Sequence, residues 1–204
     1  MSAKRKRPFW REVPVLVVVA LVLALLIKTF LVQAFSIPSQ SMENTLQPGD
    51  RVLVNRISAR LHPPHRGDVI VFEDHFVTDS IHRSAPSAFL HWLIQGLGGG
   101  GPEGEFKIKR VIGLPGDTVQ IDRCVVYVDG KPLGEPYVSA SNDRLECRYG
   151  PVHVPPRSLF VLGDNRDHSA DSRFGLGFIP FDKVVGRAFV VIWPPSRVGW
   201  IRSS

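Results

Sequence analysis

Two periods divide this chain. From Val13 to Ile27 every residue is uncharged, and after Lys28 the stretch FLVQAF continues the apolar run to Phe35. Counted as 13–35 the segment holds 23 residues. That is about 34 Å of helix at about 1.5 Å per residue. It is long enough to cross a hydrocarbon core of about 30 Å, with Lys28 snorkelling to the outer edge. Pro14 is tolerated because it falls in the first helical turn. From Asp50 onward the period shortens to two. RVLVNRIS alternates apolar and polar residues, and GDVIVF is a β-branched run behind a Gly-Asp turn. FKIKRVIG follows, then a strand starting at Thr118 after a Pro-Gly-Asp turn. CVVYVDGKPL reads as a hairpin about Asp129-Gly130, and SLFVL and VVGRAFVVIW complete the series. The pattern predicts a mainly β protein: one domain over residues 36–204, behind a membrane anchor over 13–35 and a basic segment over 1–12. No internal repeat is present.

Two stretches break the strand pattern. Residues 74–105 read as an insertion, in which SAPSAFLHWLIQGLG could form a helix capped by Ser84 or Ser87. Its apolar surface, with Trp92 at its centre, would pack on the domain or lie in the lipid interface. GGGGPEGE then gives a flexible connection. Pro132 to Pro156 is loop-like in composition and contains Cys147.

Charge refines the picture. The formal net charge is +6 and the pI about 9.7, which raises a nucleic-acid partner as a question. The concentrated charge is local, however: Lys4, Arg5, Lys6, Arg7 and Arg11 all precede the apolar run. That arrangement suits a lipid bilayer with anionic headgroups, not nucleic acid. The positive-inside rule leaves the N-terminus in the cytoplasm and the large domain outside the cell membrane, in a single-pass topology. A second reading stays open, because Val32-Gln33-Ala34 has the small residues of a cleavage site and the segment could be removed after Ala34. Cys124 and Cys147 both lie in the exported part. A disulfide closing that loop is the expected use, with free thiols the alternative. No HExxH or paired Cys/His spacing occurs, so neither a metal nor a cofactor is expected.

The chemistry is most legible in FSIPSQSMENTL, residues 35–46. Ser41 follows Ser39 by two residues, and Pro38 stiffens the approach by fixing its own φ and biasing Ile37 toward extended backbone. A hydroxyl held so near a membrane is a candidate nucleophile, although serines are also ordinary turn and cap residues. It needs a base. No GxSxG elbow occurs, no serine has lysine three residues later, and most histidines stand in unpatterned surroundings. His168 is the exception, inside the polar loop GDNRDHSADSR. A lysine from a distant strand remains. Lys107 and Lys109 sit two apart in FKIKRVIG, on one face of a strand. A lysine is a base only when neutral, and burial can lower its pKa from about 10.4 by several units. Lys109 is nearer the apolar VIGLPG run. The alternative is that both are solvated lysines guarding a sheet edge.

Four segments in order, PSQSMENTL, RGDVIVF, KRVIGLPGD and GDNRDHSADSRFG, resemble the boxes of the bacterial type I signal peptidases. The similarity runs from the anchor to about Arg187, omitting residues 74–105 and the cysteine-bearing loop. The resemblance implies the β-domain shared with the self-cleaving repressors, and an endopeptidase removing signal peptides from preproteins with small residues at −1 and −3. It implies Ser41 as nucleophile and Lys109 as general base. Ser39, with the backbone N–H of Ser41, would hold the oxyanion, and Ser169 would orient the lysine amine. Asp171 with Arg173, and Asp164 with Arg110, would be supporting ion pairs. Ile37, Met42, Leu46 and Ile108 would line the apolar substrate pockets. The implied partners are preprotein signal peptides, the lipid bilayer and the secretion machinery.

Two positions depart from the family pattern. Asn44 stands in place of a usual proline, which would loosen that turn. His168 replaces an asparagine, which leaves a proton relay through it open. Phe35, Trp193 and Trp200 would help seat the domain at the membrane surface. Two rivals are defined by what they lack. The repressors carry a DNA-binding or soluble N-terminal segment instead of an anchor, and a catalytically dead β-domain would bind without cleaving.

Overall fold

The computed structural model describes residues 13–20, 32–57, 62–73, 106–138 and 147–203. The expected insertion 74–105 and most of the expected anchor lie outside the described residues. Residues 13–20 are helical, with Val15 to Val19 exposed. Among the described residues no helix is long and apolar enough to cross a membrane.

In chain order the strands are β1 (Val32–Ser36), β2 (Arg51–Asn55), β3 (Val69–Glu73), β4 (Phe106–Gly113), β5 (Thr118–Asp122) and β6 (Val125–Val128). There follow β7 (Lys131–Pro132), β8 (Tyr149–His153), β9 (Ser158–Leu162), β10 (Ile179–Pro180), β11 (Val184–Trp193) and β12 (Gly199–Trp200). Eight of them form one sheet in the order β1-β2-β11-β3-β4-β9-β10, with β12 added to β11. The other four form a second sheet, β7-β6-β5-β8. Every pairing is antiparallel.

The helix expected to run to Phe35 therefore gives way to a strand at its outer end. Val32 to Ser36 pairs residue for residue with Asn55 to Arg51. Phe35 is buried and meets Phe106 edge-on at 5.4 Å. Pairing with β2 satisfies the strand's backbone N–H and C=O groups across the ladder.

Strand β3 is the centre of the large sheet, and its apolar run is continuous because both faces are covered. Val69 and Val71 join Phe35, Val52, Val54 and Ile108 in one cluster. Ile70 and Phe72 join Leu159, Val161 and Ile179 in another. The second sheet has its own core, where Val119, Ile121 and Val126 pack on Ile112, Phe160 and Leu162. Its hairpin turns at Asp129 (φ 51°) and Gly130 (φ 75°), the positive pair that a two-residue turn needs.

Strand β8 was expected as loop. Among the described residues YGPVH pairs only with β5, at the sheet edge, where Pro151 needs no ladder partner for its missing N–H. Gly150 sits at φ 80°, and a Cβ there would stand 2.7 Å from Val119 O. Cys124 and Cys147 are joined by a disulfide with Cα atoms 4.7 Å apart, tying the β5–β6 turn to the approach to β8.

Candidate active site

Ser41 sits on a loop closed at its neck. Beyond the β1–β2 ladder, Ile37 N donates to Asp50 O at 2.9 Å and Gly49 N to Ile37 O at 2.8 Å. Asp50 caps the turn through Gln47 N at 2.8 Å and is gripped by Arg197 Nε at 3.0 Å. Within the loop, Gln40–Met42 make a single 3-10 turn, and Met42 O accepts from Leu46 N at 2.8 Å. Met42 and Leu46 are wholly buried, anchors of roughly 1.5–3 kcal/mol each. Ser41 is thereby fixed on a pinned loop, itself only 5% exposed.

Lys109 comes from β4, opposite Ile70 of β3. Its Nζ donates to Ser41 Oγ at 2.6 Å across 68 residues of sequence. Lys109 is 4% exposed. Burial pulls its pKa from 10.5 down to about 8. The Asp171 carboxylate opposes that shift, Lys107 adds to it, and Asp164 opposes it more weakly. Ser39 Oγ lies 3.2 Å from Ser41 Oγ on the other side. A hydroxyl beside a buried amine of depressed pKa is an arrangement for proton abstraction and nucleophilic attack.

The loop after β9 completes the surroundings. Gly163 N donates to Asp171 Oδ2 at 3.1 Å and Asn165 N to Ser41 O at 3.1 Å. A Cβ on Gly163 would stand 2.2 Å from Ser169 Oγ and 2.4 Å from Ser41 O, so the close approach requires glycine. Arg173 clasps Asp171 through Nε and Nη2, each at 2.9 Å. Arg110 is fully buried. It makes a bidentate pair with Asp164 at 2.8 and 2.7 Å, and donates to Gly67 O and Arg202 O. Thr45 Oγ1 donates to the same carboxylate, which joins the serine loop to this pair.

The structure thus brings Ser39, Ser41, Lys109 and both ion pairs together. Four further places bear on what the sequence led us to expect. Ser169 is buried, but its Oγ has no hydrogen-bond partner among the described residues. It lies against Gly163, and the orienting bond to the lysine is not made. Ile37, Met42, Leu46 and Ile108 are all buried within one core cluster. Ile37, Met42 and Leu46 pack inward from the Ser41 loop and Ile108 from β4, in the layer that supports the site. Asn44 adopts φ 87°, a conformation that proline cannot take. His168 is exposed, with Nδ1 at 3.3 Å from Asn165 Oδ1.

Three supporting residues were missed. Arg166 is buried, donates to Gly163 O at 3.1 Å and pairs with Glu135. Tyr137 lays its ring on the Arg110 guanidinium at 3.8 Å. Arg166 lies inside a quoted box, but neither Glu135 nor Tyr137 carries any local signal.

The family model and the sequence relatives agree with one another. A family model described as signal peptidase, peptidase S26, matches residues 10–193. A probable signal peptidase I-2 of Synechocystis sp. is 42% identical over 202 residues, covering 97% of this chain and 81% of that protein. Signal peptidase I of Leptolyngbya laminosa is 42% identical over 180 residues, 88% of this chain and 78% of that one. Signal peptidase I of Mycobacterium tuberculosis is 37% identical over 227 residues, 97% and 77% respectively. A crystal structure of a signal peptidase I from Enterococcus faecalis V583 aligns at 28% identity and TM-score 0.43, over 62% of this chain and 97% of that one.

Proposed function

The chain belongs to the signal peptidase, peptidase S26, family, and from that premise we propose a mechanism in which Lys109 serves Ser41 as general base. The protein is a serine peptidase that removes signal peptides from preproteins. One observation carries the residue assignment: the 2.6 Å contact between Lys109 Nζ and Ser41 Oγ, made inside the protein.

Neutral Lys109 accepts the Ser41 hydroxyl proton as Oγ attacks the scissile carbonyl. The resulting oxyanion accepts hydrogen bonds from the Ser39 hydroxyl and the Ser41 backbone N–H. One such donor is typically worth roughly 3–4 kcal/mol. As the tetrahedral species collapses, the carbon–nitrogen bond breaks and the leaving amine takes the proton from the Lys109 ammonium. The acyl group stays on Ser41 Oγ. Water then attacks this ester, giving its proton to Lys109, and Ser41 is released with its hydroxyl restored. The chemistry draws on no cofactor.

With a pKa of about 8, Lys109 is mostly protonated at pH 7 and mostly neutral above pH 9. Activity therefore rises with pH through a midpoint near 8. The family is membrane-anchored, and the apolar run from Val13 fits such an anchor, with the basic N-terminus in the cytoplasm and the β-domain outside. An extended substrate with small residues at −1 and −3 reads the site through its backbone. The secretion machinery is the protein's neighbour at the same membrane face.

The test is cleavage of a preprotein carrying alanine at −1 and −3 by the purified full chain in detergent. Wild type and Lys107→Ala are expected to release the signal peptide, and Ser41→Ala and Lys109→Ala to leave it intact. Undiminished cleavage by either of the latter two removes the assignment. Absence of cleavage by wild type favours a binding module.

A further inference from the structure

The short segment after β7 reaches out of the second sheet and touches both arginines that brace the catalytic loop. Glu135 lies 31 residues before Arg166 and pairs with it bidentately, at 3.0 Å for Nη1 to Oε2. The two side chains are 10% and 7% exposed. Two residues on, the Tyr137 ring lies on Arg110, and its hydroxyl donates to Glu135 Oε1 at 3.1 Å. Arg166 in turn holds Gly163 O through Nε at 3.1 Å, while Arg173 Nη2 donates to Arg166 O at 2.7 Å. Gly163 is where the loop comes closest to Ser41 O, and Asn165 N bonds that same carbonyl. The chain of contacts is therefore Glu135 to Arg166, Arg166 to Gly163, and the 163–165 segment to the backbone of Ser41.

We propose that Glu135 is a positioning residue for catalysis, clamping Arg166 so that the 163–165 segment holds Ser41 in register with Lys109. The inference rests on the Ser41/Lys109 reading above. The physical reason is the state of Arg166 without it. A guanidinium at 7% exposure, left among the described residues with only the Gly163 carbonyl, must find another partner or reach water. Either movement releases Gly163 O and loosens the seat of the Ser41 carbonyl. A catalytic hydroxyl misplaced by about 1 Å loses on the order of 100-fold in rate. No substrate contact is asked of Glu135, so binding should survive.

The experiment compares Glu135→Ala, Arg166→Ala and the double variant in the purified full chain, with kcat and KM for a signal-peptide substrate across pH. Folded fraction is fixed by circular dichroism and thermal unfolding against wild type. Glu135→Ala is expected to lower kcat roughly 10- to 100-fold with KM within about twofold. Its pH midpoint should rise, as Lys109 meets water, and the double variant should be no slower than Arg166→Ala. Three results overturn the proposal: a wild-type kcat in Glu135→Ala, losses that multiply in the double variant, or a loss that follows the folded fraction with an unmoved pH midpoint. Should Glu135→Ala fail to fold, Glu135→Gln is read by the same criteria, since it keeps the shape and one acceptor. Ser41→Ala and Lys109→Ala run beside it. If they retain activity the catalytic reading itself falls, whereas a fully active Glu135→Ala beside two dead controls removes only the clamp.

Discussion

Replacing Lys109 by methionine should make this protein more stable at neutral pH while abolishing its activity. The amine ionises at 10.5 in ordinary surroundings and at about 8 in the folded chain. At 1.36 kcal/mol per unit, confining the charged amine costs about 3 kcal/mol. Lys109 is 4% exposed, so solvent screening removes little of this. The sign follows from proton binding. Between pH 8 and 10.5 the unfolded chain holds the proton and the folded chain has lost it, so stability rises with pH across that window. Below about pH 8 the cost is present in full. Methionine keeps an unbranched side chain of similar reach and removes the charge, but it forfeits the hydrogen bond to Ser41, worth about 1 kcal/mol. The net gain at pH 7 is about 2 kcal/mol, and it should vanish or reverse near pH 10.5.

Urea unfolding of wild type and Lys109→Met at pH 7 and at pH 10, with equal slopes as the check on two-state behaviour, measures this directly. Wild type should be the less stable at the lower pH and gain on the variant at the higher. Equal stabilities at pH 7, or a difference that does not change with pH, would mean the amine is not confined as charge in a dry site. The case for a neutral base at Ser41 would then lose its footing.

Other expectations follow from neighbouring contacts. Gly163→Ala places a Cβ 2.4 Å from Ser41 O and should cut kcat on the order of 100-fold. Gly116→Ala, with open space around it but φ 92°, should cost about 1 kcal/mol in a urea melt and leave kcat alone. Asp164→Ala strands the fully buried Arg110 and should destabilise by about 3–5 kcal/mol, while Arg110→Met with Asp164→Leu should cost far less. Replacing both Cys124 and Cys147 by serine opens a link spanning 23 residues. It should lower stability by about 3 kcal/mol without moving the activity midpoint.

Strands were legible in two patterns: apolar and polar residues alternating, as in β2 and the first half of β4, and β-branched apolar runs beside a turn, as in β3 and β11. The Asp129-Gly130 turn marked the hairpin. Strand β8 was hidden because its Gly150 and Pro151 are turn residues by composition. Only pairing with one neighbour at a sheet edge makes them acceptable. Strand β1 was hidden for the opposite reason. Val32 to Phe35 continues the hydrophobic run of the preceding segment, and hydropathy alone cannot tell the end of a membrane helix from a strand docked on β2. The distinguishing interaction, Phe35 against Phe106, joins residues far apart in sequence.

The site divides in the same way. A motif can mark Ser41 and Lys109, because chemistry restricts which residue types stand there. What makes the lysine useful is assembled from elsewhere. Lys107 and Lys109 differ by two positions on one strand, yet Lys109 is the one buried, because the Ser41 loop and the loop after β9 meet over it. Asp171 and Asp164 both raise its pKa against the effect of burial, and each is held bidentately by an arginine, Arg173 and Arg110. Their negative charge is thus already shared with a nearer cation, and desolvation wins. The two ion pairs leave the amine's pKa low by occupying the carboxylates as much as they brace the loops. Tyr137 and Glu135 extend that arrangement outward to a second sheet whose residues share no local pattern with the motifs. A reader of the sequence can single out Ser41 and Lys109, but not the contacts that decide the charge on the amine.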